Sequence, residues 1–318
     1  GIAVADLFLD RRQLVLETRG RSAEQNHVFR ASSGDQYPGM PMAVLVGQRS
    51  ASATEIVAGA LQDHDRAVLL GETSFGKGSV QTLYELPGDN ILKLTTARWY
   101  TPSGRSIQKP YGIDGERAAA AARASQENGG APDVEEKLED EAPIYRTDSG
   151  REVLGGGGIT PDLVVMDTLS TADQELVRAI REDVALYNNL LYRYAVEYAH
   201  EHPDLRPGFP VTDEMLDEFH ARLRAEGLEI DREVYDAADL VRRSLVNEIS
   251  TAQFSREEGW KRMTADDPQV QTAVALLSSA GEPSDVFSLL PGFAERLGLT
   301  LGTALHEEAV GAVSASHP

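Results

Sequence analysis

The spacing of apolar and polar positions divides the chain near Ser170 into a mixed α/β part and a helical part. Residues 1–9 are apolar and helix-compatible, and residues 13–18 read as a strand. Residues 19–40 are polar and contain glycine, which predicts a loop with one short strand over His27–Arg30. Residues 42–46 form a continuous apolar run of the length expected of a buried strand. Residues 53–64 place Ile56, Val57, Ala60 and Leu61 on one helical face, and residues 67–71 repeat the buried-strand pattern. A strand–helix–strand series of this kind implies parallel pairing through a crossover. Residues 80–86 and 91–100 are β-rich and flank Pro87-Gly88-Asp89-Asn90, the signature of a hairpin. Residues 163–166 read as a further strand. Helical periodicity then takes over at residues 173–199, 213–225, 232–252 and 269–280. Leu190, Tyr194 and Tyr198 recur at four-residue spacing and predict a buried stripe, on the core or on a second subunit.

These patterns predict an α/β core over residues 1–168, with a mobile acidic insert at 109–148, and a mainly α-helical region over 169–318. The insert is expected from its alanine run, its acidic patch and its loss of apolar periodicity. Hydrophobic residues make up 41% of the 318 residues, enough for a sizeable core. The formal net charge of −21 disfavours nucleic acid and anionic membrane as partners, because both select basic surfaces. The absence of cysteine removes disulfides, thiolate catalysis and cysteine-ligated zinc from consideration. His200 and His202, two residues apart, do not share a helical face and read as a solvated helix end. No metal and no cofactor are expected.

A nucleophilic serine needs exposure, a base and donors for an oxyanion. Ser52 stands between a predicted strand and a predicted helix, where unpaired backbone N–H groups and the helix dipole are available. The N–H of Ala53 is the natural oxyanion donor. The same residues also form a capping box, with Glu55 three positions after Ser52, and Ser50 is a second candidate on the same loop. His27 lies in a polar loop and His64 reads as an exposed helix end, so a histidine base lacks support. Lys77 lies between Gly76 and Gly78, after a strand expected to neighbour residues 42–46, so both strands deliver their C-terminal ends to one edge of the sheet. Lysine accepts a proton only when neutral. An apolar pocket favours that form, and Phe75 and Val80 are the candidate walls. Gln81 follows Lys77 by four residues, and its amide oxygen can accept a lysine N–H.

The stretches Ser50-Ala51-Ser52-Ala53-Thr54-Glu55-Ile56-Val57-Ala58-Gly59-Ala60-Leu61-Gln62-Asp63 and Gly71-Glu72-Thr73-Ser74-Phe75-Gly76-Lys77-Gly78-Ser79-Val80-Gln81 resemble the nucleophile and lysine segments of the carboxyl-terminal processing proteases, the S41 peptidases. Residues 95–108 and Gly158-Ile159-Thr160-Pro161-Asp162 resemble the hairpin and closing segments that follow in that family. The resemblance covers residues 1–168. It implies a ClpP/crotonase-like core and a serine endopeptidase that cleaves proteins near their C-termini through an acyl-enzyme. Ser52 is then the nucleophile, Lys77 the base, Gln81 the residue that orients Lys77, and Ala53 N–H an oxyanion donor. Polypeptides are the implied substrates, an extracytoplasmic compartment the implied location, and a homo-oligomer through the helical tail a further expectation. The family's upstream PDZ domain and the start of its core are expected before Gly1, so the chain alone is expected to be inactive. A non-catalytic binding relative on the same core and a crotonase-type acyl-CoA enzyme are the competing readings. Both lack a use for the Ser–Lys pair.

Overall fold

The computed structural model describes residues 1–88, 90–109, 143–166 and 170–303. Contacts divide the chain into two compact units, one of residues 1–166 with 272–318 and one of residues 167–271.

The first unit holds two four-stranded sheets. Helix α1 (Ile2–Ala5) precedes strands β1 (Leu14–Gly20) and β2 (His27–Arg30), and β3 (Ala43–Val46), helix α2 (Ala53–Asp63) and β4 (Val68–Gly71) follow. Strands β3 and β4 pair in parallel from Ala43 opposite Val68 to Val46 opposite Gly71, with α2 as the crossover. All of β4 is buried, which accounts for its unbroken apolar run. Strand β9 (Leu163–Val164) adds in parallel to β4, and β10 (Thr300–Leu301) closes the order β10-β9-β4-β3. The antiparallel sheet has the order β2-β1-β6-β5, where β5 (Ser79–Leu86) and β6 (Asn90–Tyr100) form the predicted hairpin. Beyond a bulge at Val80/Gln81 this hairpin extends past the core and leaves Leu83 and Ile91 exposed.

The expected insert is corrected from Pro143 onward, while its residues 110–142 lie outside the described ones. Strands β7 (Ile144–Arg146) and β8 (Glu152–Leu154) pair antiparallel. The Tyr145 ring packs so closely on Gly155 that a Cβ there would sit 2.7 Å from the ring. Asp148 donates its N–H to Asp63 O at 2.9 Å. The bond from Asp148 to Asp63 joins distant parts of the chain, and local composition carries no trace of it.

The mainly helical region expected over 169–318 is observed among its described residues, divided between the two units. Helices α3 (Thr171–Ala179), α4 (Val184–Glu201), α5 (Asp213–Ala225), α6 (Arg232–Ala237), α7 (Asp239–Gln253) and α8 (Arg256–Met263) belong to the second unit. Leu190 and Tyr194 join its own apolar core with Phe219, Leu223, Leu245 and Ile249, and Tyr198 packs at its margin. Helices α9 (Pro268–Leu277) and α10 (Pro283–Leu297) instead bury Ala273, Leu276, Val286, Leu290 and Phe293 against Val68, Leu70, Leu163 and Val165 of the first unit. Composition alone does not tell which core an amphipathic helix joins. The predicted 232–252 helix breaks at Ala238 because the buried Asp173 carboxylate accepts the Leu240 N–H at 2.7 Å and starts α7 afresh. No helix among the described residues is long and apolar enough to cross a membrane.

Candidate functional site

The turn between β3 and α2 is built by its own polar groups. Ser50 donates its N–H to Gly47 O at 2.8 Å, and its hydroxyl accepts the Gly47 N–H at 3.2 Å. Ser50 is thereby committed to the turn. Ser52 has φ 57° and ψ −109°, a left-handed conformation unfavourable for a residue with a Cβ. At the expected capping box the Glu55 carboxylate accepts the Ser52 N–H at 2.7 Å, which fixes the main chain of the serine. Ala53, the first residue of α2, is exposed, and its N–H donates to no protein atom among the described residues.

The loop after β4 is fastened to this turn. Phe75 donates its N–H to Ser50 O at 2.9 Å. The Glu55 side chain is 0% exposed and also accepts from Ser74 Oγ at 2.5 Å, Gly76 N at 2.6 Å and Lys77 N at 2.9 Å. Gly76 has φ 88°, and a Cβ there would lie 2.7 Å from Lys109 Cγ, so glycine is required on both grounds. Trp99 Nε1 donates to Lys77 O at 3.2 Å. The main chain of Lys77 is thus fixed from both sides.

The side chains of the expected trio are placed differently. Lys77 and Phe75 are exposed, so the expected apolar pocket is not closed around the lysine. Gln81 is exposed on β5 opposite Thr95. No hydrogen bond among the described residues joins Ser52, Lys77 and Gln81 through their side chains. His64 is corrected from an exposed helix end to a nearly buried tie. Its Nδ1 lies 2.7 Å from Asp148 Oδ2 and its Nε2 2.7 Å from Leu14 O, so both ring nitrogens are engaged away from Ser52. His27 is exposed on β2 with its ring tilted against Phe29.

Behind the turn lies a polar network that the sequence reading missed. Arg105 is fully buried and donates to Gln62 Oε1 at 2.6 Å, Asp63 Oδ1 at 2.7 Å and Leu154 O at 3.0 Å. Desolvation lowers its pKa, opposed by the charges of Asp63 and Asp162. Desolvation acts on Arg151 in the same sense but is outweighed by Asp162 and Asp65, which leave its pKa raised. Asp162 accepts from Arg151, Gln62 and the Leu69 N–H, and so ties the Gly-Ile-Thr-Pro-Asp segment to β4 and α2. One sequence signal was available. Glu55, Gly59 and Gln62 recur at i, i+4 and i+7 on α2, a polar stripe broken only by a glycine, and all three are buried. Among the described residues no group of three or more metal-ligating side chains could share an ion.

Residues 1–116 match Peptidase family S41. The match falls on the mixed α/β part of the chain, which a helical region follows. A carboxy-terminal-processing protease of Bartonella bacilliformis is 53% identical over 107 residues, which are 34% of this chain and 24% of that protein. A carboxyl-terminal-processing protease of Picosynechococcus is 40% identical over 109 residues, 34% of this chain and 26% of that protein. Among solved structures, a photosystem II D1 C-terminal processing protease matches at 32% identity with TM-score 0.31, over 34% of this chain and 27% of that one. The chain spans about a quarter of the length of the curated relatives it matches.

Proposed function

We propose that the protein is a serine endopeptidase of the carboxyl-terminal processing type, with a ClpP/crotonase-like core, a Ser52–Lys77 pair and an acyl-enzyme intermediate. The observation that carries this reading is the fastening of the Ser52 turn to the Lys77 main chain by one buried carboxylate, beside the unengaged N–H of Ala53. Ser52 Oγ attacks the scissile carbonyl carbon as its proton passes to the neutral Lys77 amine. The tetrahedral oxyanion accepts the Ala53 N–H. The C–N bond then breaks, and Lys77 returns the proton to the leaving amine. Water attacks the ester, the same amine takes its proton, and that proton restores the Ser52 hydroxyl. Contact between Lys77 Nζ and Ser52 Oγ forms when substrate is bound, because catalytic hydrogen bonds tighten in the Michaelis complex. Gln81, one bulge away on β5, then accepts from the lysine. The substrates are polypeptides cut near their C-termini, and the relatives named as chloroplastic support work outside the cytoplasm. The helical unit, with Tyr192 and Val196 exposed on α4, supplies a surface for self-association.

The test is turnover of an unfolded protein by the full-length protein, with labelling by a serine-directed probe. Ser52→Ala is expected to lose both turnover and label, and Lys77→Arg to be as inactive as Lys77→Ala, because arginine stays protonated. Turnover in Ser52→Ala that is lost in Ser50→Ala moves the nucleophile to Ser50. Substrate binding without turnover in the parent protein replaces the enzyme by the binding relative.

A further inference from the structure

Glu55 is more than a helix cap. A cap is complete once the Ser52 N–H is accepted, yet the other three donors to this carboxylate come from Ser74, Gly76 and Lys77 on a different loop. We propose that Glu55 is a positioning residue for the Ser52–Lys77 pair, a role that rests on the reading above: its buried carboxylate sets the nucleophile turn and the lysine loop relative to one another.

Each oxygen has its own task. Oε2 accepts from the main chain of both Ser52 and Lys77, so the two residues share one acceptor atom. Oε1 accepts from Gly76 N and Ser74 Oγ. Ser74 in turn accepts the Ile159 N–H at 2.7 Å, which extends the tie to the segment ending at Asp162. All four partners of Glu55 are neutral donors, and the carboxylate sits in the first turn of α2, where the helix dipole favours negative charge. The strained φ of Ser52 needs a restraint from outside its own residue, and the Glu55 hydrogen bond supplies one.

This division of labour makes glutamine a sharp probe. An amide has one accepting and one donating end. In either flip of Glu55→Gln, an NH2 group faces two donors, so either the Ser52–Lys77 half or the Ser74–Gly76 half of the tie is lost. The volume hardly changes. In the full-length protein, Glu55→Gln is expected to lower kcat about 100-fold, the size of effect that a displacement of about 1 Å produces, with KM at the parental value. Ser74→Ala removes one donor, keeps the charge, and is expected to lower kcat by a smaller factor, again without a change in KM. Thermal unfolding of both variants is followed beside the parent. Parental kcat in folded Glu55→Gln, or a loss confined to KM, overturns the role. If Glu55→Gln does not fold, Ser74→Ala decides on the same split. Ser52→Ala is assayed in parallel. If it still turns over substrate, the nucleophile assignment fails and takes the positioning role with it. If it is dead while Glu55→Gln works at the parental rate, only the positioning role fails.

Discussion

Replacing Arg105 by methionine tests whether the network behind the site holds the first unit together. Arg105 is completely buried and gives two of its donors to Gln62 and Asp63 and a third to Leu154 O. Arg105→Met leaves Asp63, itself buried, with the Ser103 N–H at 2.9 Å on its other oxygen and nothing to balance its charge. Removing one partner of a buried ion pair costs about 3–5 kcal/mol, and the orphaned Gln62 and Leu154 acceptors keep the value in the upper part of that range. Arg105→Met combined with Asp63→Asn removes the stranded charge, while the new amide oxygen can still accept the Ser103 N–H. The double variant is therefore expected to be more stable than Arg105→Met alone. Urea unfolding read by tryptophan fluorescence measures this. The chain has two tryptophans: Trp99 is 4% exposed in the first unit and Trp260 is 61% exposed in the second. A Trp260→Phe background leaves Trp99 as the sole reporter of the first unit and keeps the second unit's transition out of the signal. A loss below about 1 kcal/mol in Arg105→Met, against the range expected of a buried pair, refutes the reasoning. So does a double variant no more stable than the single one.

Two further outcomes are expected. The N–H groups of Ser33 and Ser32, with the Ser32 hydroxyl, hold the Asp6 carboxyl down from 3.8 to about 2. Its contribution to stability is therefore complete above pH ~4 and is lost as pH falls toward 2. Asp6→Asn should be less stable than the parent at neutral pH, and the two should converge across that window; a constant gap contradicts this. Gly158 has φ 99°, and a Cβ there would meet Ser74 O at 2.4 Å, so Gly158→Ala should destabilise the first unit by more than about 1 kcal/mol. Gly156→Ala, with φ 82° and its nearest neighbour at 3.9 Å, should cost less in the same urea assay, and equal losses would show that the contact with Ser74 is not limiting.

The elements legible in the sequence were those whose burial is local. The continuous apolar strand Val68–Gly71, the hairpin around Pro87-Gly88 and the helix Asp213–Ala225 follow from periodicity and turn chemistry alone. The candidate site was legible as segments, because Ser52, Ala53, Lys77 and Gln81 lie in extended motifs, but its internal ties were not. Glu55 reads as a cap until Ser74, Gly76 and Lys77 come into reach from another loop. His64 reads as a helix end until Leu14 O and Asp148 cover both nitrogens. The break at Ala238 depends on an acceptor from α3, Asp173, far back in the chain. In each case the deciding partner is distant in sequence, and a window of neighbouring residues holds no information about it.

The return of residues 272–301 to the first unit bears on how the protein is made. The family-matching residues 1–116 leave the ribosome before residues 272–301, so β9 gains its outer neighbour, and Val68, Leu70, Leu163 and Val165 gain their apolar cover, only when α9, α10 and β10 have been synthesised. At about 5–20 residues per second, that leaves the nascent sheet uncovered for on the order of ten seconds. In that interval the second unit, whose core draws only on its own residues, has everything it needs to fold. A premature stop within residues 272–301 would thus release a chain with Ser52, Ala53, Lys77 and Gln81 in place and an open apolar flank, a substrate for quality control.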